Sequence, residues 1–244
     1  MKRILEKLRR AITPDRAILL AGALLLLFYL FLEILVRIDS AYRVNPILRA
    51  IGTLLVCIVF YCGGRLHLER TKNKRLFRAL FILFFVLYLN LIFTVTLMDV
   101  SLGRTGDFIF NNVIFKDQRA HYLKWFVNLV PFQSIYEVYI QGYLDGNVTL
   151  YYVTLNLLGN LCLFMPLAVF LPLFFKHQRR WYFFVPTVIF ATAAIEALQY
   201  FFMVGSCDVD DLILNATGAI LVFFLLKIPA VKRLCTRLLA DAFH

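Results

Sequence analysis

Six long apolar runs dominate the sequence and restrict what the chain can fold into. They cover Ala17–Val36, Ile47–Cys62, Leu76–Met98, Val153–Phe175, Trp181–Val204 and Leu212–Ile228. Each is close to the ~17–25 residues that a helix needs to cross a bilayer. Their residues do not alternate between apolar and polar, which argues against a membrane β-barrel. Apolar residues make up 61% of the 244 positions, whereas soluble domains average ~45–50%. We therefore predict an all-α, polytopic membrane helix bundle with six transmembrane helices.

The distribution of basic residues predicts the orientation of these helices. With six helices, 19 of the 26 Lys and Arg residues fall on the side of both termini, and 7 fall on the other. Loops rich in Lys and Arg stay in the cytoplasm, so both termini are expected there. The same rule accounts for the net charge of +11 without a nucleic-acid partner. The segment Asp99–Tyr152 then lies outside, and its many aromatic residues favour short helices on or in the outer leaflet.

Polar residues inside the last three apolar runs are the candidates for function. Buried ionisable groups are costly in a bilayer, so Glu196 needs a partner or a role. Helical spacing puts side chains three or four residues apart on one face. The polar residues in question are Asn156 and Asn160 in the fourth run, Glu196 and Gln199 in the fifth, and Asp208, Asp211 and Asn215 around the start of the sixth. At ~1.5 Å per residue, Glu196, Asn160 and Asn215 all fall in the outer half of the bilayer. The sequence thus predicts a polar pocket that opens outward between helices four, five and six.

Structural explanations exist for several of these residues. Asp208 is suited to cap the last helix, a role as plausible as binding. Asn156 and Asn160 could simply join helices through hydrogen bonds. Glu33, near the outer end of the first helix, could reach the membrane interface or pair with Arg37, which lies four residues on. Pro166 lacks the N–H that would bond to the carbonyl of Cys162, so a kink is expected near Asn160.

The order of the polar motifs resembles the VanZ-like membrane protein family. The motifs are Asn128-Leu-Val-Pro131-Phe132, Asn156-Leu-Leu-Gly159-Asn160, Glu196-x-x-Gln199-Tyr200 and Gly205-x-x-Asp208-x-x-Asp211 with Asn215. Ala168 departs from the family pattern, which usually has glycine there. The resemblance implies a VanZ-like domain over residues 76–228. Residues 1–75 then form a cytoplasmic tail with two added helices, residues 229–244 form a second cytoplasmic tail, and Asn128 joins the candidate ligand-binding residues.

Three functions remain open after this comparison. The resemblance implies a bacterial plasma-membrane protein that lowers susceptibility to teicoplanin-type glycopeptides. Its pocket would bind a lipid-linked cell-wall component or the lipophilic drug itself, with membrane lipids around it and no cofactor. The second possibility is an enzyme that acts on a lipid head group. There Glu196 would be the acid or base, and Asp208 and Asp211 would be candidate ligands of Mg²⁺ or Ca²⁺. The third is a proton-coupled transporter or flippase with Glu196 as proton carrier. A non-enzymatic role is favoured because no nucleophile–base pair is evident.

Overall fold

The structure is a computed structural model that describes residues 13–38, 45–98 and 116–239, with the backbone alone at 37–38 and 116–120. The basic tail 1–12, the loop 39–44, the first part of the outer segment (99–115) and residues 240–244 lie outside the described residues. Five helical segments are long and apolar enough to cross a membrane, and a sixth qualifies if a bent pair of helices is counted as one span. The prediction of an all-α membrane helix bundle is therefore confirmed.

The chain divides into two compact units, Met1–Val95 with Leu239–His244, and Thr96–Leu238. The described part of the first unit contains helices α1 (Pro14–Ile38), α2 (Pro46–Thr71) and α3 (Lys74–Phe93). Asn45 caps α2 by accepting a hydrogen bond from the Ile47 N–H at 2.8 Å, and Asn73 caps α3 through the Arg75 N–H at 2.9 Å. Lys72, at φ 57°, makes the left-handed turn between α2 and α3. α2 and α3 thus each start where an asparagine side chain replaces a missing intrahelical acceptor.

The second helix is longer than predicted, because α2 does not end at Cys62 but continues to Thr71 and so includes Arg65 and Arg70. Glu33 forms a buried salt bridge with Arg49 of α2. The side chain of Arg37, its predicted partner, lies outside the described residues. A buried carboxylate must be neutralised where it sits, and a guanidinium on the neighbouring helix reaches it inside the bundle. The sequence alone could not place Arg49 there because the two residues lie on different helices, and periodicity does not indicate which faces of two helices meet.

The second unit contains the four polar motifs that resemble those of the VanZ-like family. Its elements are α4 (Lys116–Trp125), β1 (Val127–Asn128), a π-helix (Ile135–Gln141) with one further turn (Gly142–Leu144), α5 (Leu150–Leu163), α6 (Leu167–Phe174), a 3-10 turn (Lys176–Arg179), α7 (Trp181–Phe202), β2 (Cys207–Asp208), α8 (Val209–Leu225) and α9 (Pro229–Leu238). α8 packs against both α5 and α7. Phe184 of α7 stacks on Phe223 of α8, with ring centroids 4.2 Å apart.

The fourth predicted span is broken where Pro166 interrupts it. α5 ends at Leu163 and α6 begins at Leu167. Pro166 has no N–H to donate to the Cys162 carbonyl. This carbonyl accepts a hydrogen bond from the Met165 N–H at 3.2 Å instead. The helix is therefore interrupted next to the proline, whose missing N–H explains the break, within one apolar segment, Leu150–Phe174.

The last predicted span differs from expectation at both ends. α8 starts at Val209, three residues before the predicted start at Leu212, and it ends at Leu225. The chain then bends by 91° into α9. At ~1.5 Å per residue, the 17 residues of α8 extend about 25 Å, which is near the thickness of the hydrocarbon core.

Candidate functional site

Glu196 and Asp208 meet at the end of the bundle where α8 begins. Glu196 lies on α7 and is 7% exposed, and Asp208 is 6% exposed. Glu196 Oε2 accepts a hydrogen bond from the backbone N–H of Asp208 at 2.9 Å. The buried carboxyl therefore ties α7 to the residue that starts α8. This contact gives Glu196 the buried partner that its position in an apolar helix demands.

Asp208 also caps α8 and binds the side chain of Asn128, which lies 80 residues earlier in the chain. Its Oδ1 accepts hydrogen bonds from the Asp210 N–H and from Asn128 Nδ2, both at 2.9 Å. Strands β1 and β2 pair in parallel here, with Asn128 opposite Asp208. Asn128 Nδ2 lies 2.9 Å from Ser134 Oγ as well. The predicted capping role of Asp208 is thus present, and the same oxygen also holds Asn128.

Asp210 has a role that sequence reasoning missed. It is 0% exposed, and its two carboxylate oxygens accept from the backbone N–H groups of Phe132 and Ile135, the latter at 3.1 Å. An acidic residue in the first helical turn is usually explained by the helix dipole. In the sequence Asp210 is visible only as a third aspartate beside Asp208 and Asp211. Its partners, residues 132 and 135, lie more than 70 positions earlier, and no local pattern indicates them.

Asp211 and Asn160 form the more accessible part of the site. Asn160 Nδ2 of α5 donates to Asp211 Oδ1 of α8, and both residues are partly exposed. Asn156 lies one turn from Asn160 and is also partly exposed. Its side chain donates to the Tyr152 carbonyl of its own helix at 2.8 Å. The two asparagines therefore differ, because one joins helices and the other bonds within α5.

Gln199 and Asn215 are buried on α7 and α8, and Gln199 bonds to residues outside this group. Gln199 is 3% exposed, and its Nε2 donates to the Thr96 carbonyl at 3.1 Å. The Tyr122 hydroxyl donates to the Gln199 carbonyl at 3.2 Å. Among the described residues, neither Gln199 Oε1 nor Asn215 Oδ1 has a hydrogen-bond partner, although both atoms are buried. Two buried acceptors are thus left for water or for a ligand.

The carboxylates of the site perturb two neighbouring acids outside the spans. Burial and the charges of Glu196 and Asp208 raise the pKa of the Cys207 thiol to about 11. Burial and the charges of Asp211, Asp208 and Asp210, together with Tyr152, raise the pKa of the Tyr139 phenol. Tyr139 is buried and its ring centroid lies 6.2 Å from that of Tyr152. Both groups stay protonated at neutral pH because anions nearby disfavour a further negative charge. Sequence reasoning did not include Tyr139 in the site.

The chemistry available at this end of the bundle is hydrogen-bond acceptance. Within the described ranges, no group of three or more His, Cys, Asp or Glu side chains is arranged to hold a metal ion. Asp208 and Asp210 use their oxygens to bind backbone and amide N–H groups instead. A ligand that supplies donors, such as ammonium, amide or hydroxyl groups, suits such a site.

One comparison with known proteins, a match to a family model, agrees with the motifs in the second unit. No curated protein and no solved structure matches the chain. The model of the VanZ/LLP1 family matches residues 71–231. This match spans more than half of the 244 residues, and it includes every residue of the site described above. With its apolar helices and this match, the chain belongs to the VanZ/LLP1 family of membrane proteins.

Proposed function

We propose that the protein is a multi-pass protein of the bacterial plasma membrane that binds an amphiphile at the outer end of α5, α7 and α8. The ligand would be a lipid-linked cell-wall component or a lipoglycopeptide. By binding it, the protein lowers susceptibility to teicoplanin-type drugs without making or breaking a bond. The two candidate ligands share a lipid tail and a head group rich in hydrogen-bond donors.

The observation that carries this proposal is the division of the acidic and amide residues into two layers. Glu196, Asp208 and Asp210 are buried and hold the backbone in place. Asp211, Asn160 and Asn156 are partly exposed beside them. A rigid inner layer that orients an accessible outer layer is what a binding site requires. Asp211, the carboxylate among the partly exposed residues, favours ligand groups that donate hydrogen bonds, such as amines and hydroxyls.

Drug susceptibility of cells that express single variants tests the proposal. Asp211→Asn keeps an oxygen that can accept from Asn160 but removes the charge. We expect it to abolish most of the protection against teicoplanin, and Asn156→Ala to weaken protection. Asp145→Asn is the matched control, because Asp145 is an exposed aspartate in the turn after Leu144. Equal protection by the Asp211→Asn and Asp145→Asn variants, at equal amounts in the membrane, contradicts the proposed site.

Variants of Glu196 separate binding from catalysis and proton transport. Glu196→Gln retains an oxygen that can accept the Asp208 N–H but cannot titrate, whereas Glu196→Ala removes the contact. A binding protein should keep its protection in the Gln variant and lose it in the Ala variant. An acid–base enzyme or a proton carrier should lose activity in both. Loss of protection in both variants, with normal folding, would therefore favour the catalytic or transport alternative.

A further inference from the structure

A short apolar loop, Leu129–Phe132, lies between β1 and the π-helix of the second unit. Leu129 is 73% exposed, Val130 58% and Phe132 61%, and Pro131 between them is exposed too. The ten residues from Val127 to Tyr136 contain no charged side chain. Four consecutive exposed apolar residues would be unfavourable in water.

The backbone of this apolar loop is held from within the protein. Asn128 Oδ1 accepts from the Val130 N–H at 2.9 Å, and Asp210 accepts from the Phe132 and Ile135 N–H groups. The Gln133 N–H donates to the Val130 carbonyl at 3.3 Å and the Tyr136 N–H donates to the Phe132 carbonyl at 3.1 Å. Phe132 has φ 66°, a conformation that a bulky residue keeps only when its surroundings impose it.

This arrangement is what an irregular segment needs in order to enter a bilayer. Backbone outside a helix is tolerated at membrane depth only when its polar groups are satisfied by the protein. A loop in water could leave its N–H groups to the solvent. Here the Phe132 N–H binds the carboxylate of Asp210, which is 0% exposed, and the Val130 N–H binds Asn128 Oδ1. A buried carboxylate that accepts a backbone N–H is therefore expected where little water reaches the backbone of the loop.

The neighbours of the apolar loop match a membrane interface. Trp125 is 65% exposed, Phe126 45% and Tyr136 61%, and they flank the loop in sequence. The Lys124 ammonium lies 4.9 Å from the centroid of the Trp125 ring. Exposed aromatic residues with an adjacent cation are typical of the zone where head groups meet acyl chains. The charged and aromatic residues thus bracket a stretch whose middle is purely apolar.

We propose that the apolar loop Leu129–Phe132 inserts into the hydrocarbon edge of the bilayer, with Asp210 as the buried anchor that fixes its shape. Its partner is the acyl region of the surrounding lipid. The loop joins β1, which pairs with β2 at the start of α8. Insertion would therefore fix the depth of the candidate site relative to the membrane surface, whether or not that site binds a drug.

Fluorescence quenching in full-length protein tests this depth. The five native cysteines are replaced by serine, and Leu129→Cys and Phe132→Cys are each labelled with bimane in phosphatidylcholine nanodiscs. Asp145→Cys, at an exposed turn, is the control. Lipids with a doxyl group near the top of the acyl chain should quench positions 129 and 132 at least about threefold more than position 145, since an inserted loop excludes water. Aqueous iodide should show the reverse order.

Two outcomes would overturn the proposal. Strong iodide quenching and weak doxyl quenching at both loop positions would place the loop in water. Protection from both quenchers, lost when each nanodisc holds a single copy, would mean that a second copy covers the loop. Because the labelled side chains are exposed, their replacement should leave the melting temperature unchanged, and this is measured for each variant. In an Asp210→Ala background, iodide quenching at position 129 should rise as the anchor is lost.

Discussion

Asp208 and Asp210 are two residues apart, but their carboxyl groups accept hydrogen bonds in different ways, so a replacement residue must meet different requirements at each position. Asp208 uses one oxygen, Oδ1, for both Asn128 and the Asp210 N–H, so asparagine can reproduce its contacts. Asp210 uses both oxygens to accept backbone N–H groups. Asparagine at 210 would turn an NH₂ group toward an N–H donor and leave both without an acceptor.

We therefore expect unequal effects of the same substitution at these two positions. Asp210→Asn should destabilise the protein by ~1–3 kcal/mol, the usual cost of a buried unsatisfied donor. Asp208→Asn should cost a few tenths of a kcal/mol, as for an exchange between two good caps. Thermal unfolding in detergent, without ligand, measures both. Equal melting temperatures of the two variants would contradict the contacts assigned to Asp210.

Cys207 reports on the charge of the site through its pKa. Its thiol is neutral at pH 7 because burial and the neighbouring Glu196 and Asp208 carboxylates raise the pKa to about 11. Since the thiolate is the reactive form, alkylation of Cys207 should accelerate by about tenfold per pH unit above neutrality. The rate is measured with an impermeant maleimide in a chain whose other cysteines are serine.

The same assay tests the contribution of Glu196 to this shift. Glu196→Gln removes one of the charges that disfavour the thiolate, so the pKa of Cys207 should fall and alkylation at pH 8 should become faster. An unchanged rate would contradict the assigned contribution of the Glu196 charge to the pKa of Cys207. The melting temperature of the variant serves as the control for local unfolding.

At the scale of elements, the approach of α5 and α8 depends on one glycine. A Cβ added to Gly218 of α8 would overlap the carbonyl oxygen of Leu161 in α5. Small residues allow membrane helices to pack this closely. The same two helices carry Asn160 and Asp211, so the glycine contact and the polar contact depend on one interhelical distance.

Substitution of two glycines by alanine tests this packing. Gly218→Ala should destabilise the protein by ~1–3 kcal/mol because backbone atoms of α5 must move. Gly159→Ala is the matched control, since a Cβ there has no heavy atom within 4 Å, and alanine favours helix by up to ~1 kcal/mol. A Gly218→Ala variant as stable as the Gly159→Ala variant would show that the helices are further apart than described.

At the scale of the whole molecule, the sequence predicted what depends on local patterns. Apolar run length located the spans, and proline chemistry predicted the break at Pro166. The cap at Asp208 also followed from neighbouring residues. The pairing of β1 with β2, the partners of Asp210 and the Glu33–Arg49 bridge were not predictable. Each joins residues that are far apart in the chain, so each depends on a tertiary register that periodicity does not encode.

The orientation in the membrane remains a prediction from the distribution of basic residues, and labelling of intact cells tests it. A cysteine introduced at Asp145, which is exposed and falls in the outer segment, should react with an impermeant thiol reagent. Cys235, on α9, should react only after the cells are opened. The reverse pattern would place the candidate site at the cytoplasmic face and contradict the positive-inside assignment.

Direct binding of teicoplanin is the measurement that tests the proposed function most closely. Full-length protein in phosphatidylcholine nanodiscs is titrated with teicoplanin and, separately, with a lipid-linked cell-wall precursor, with empty nanodiscs as blank. Saturable binding of one of them to the wild type and to Asp145→Asn, weakened at least about tenfold in Asp211→Asn as expected for loss of a charged contact, is the predicted result. Binding of both probes that is equal in all three proteins, or no greater than to empty nanodiscs, would contradict it.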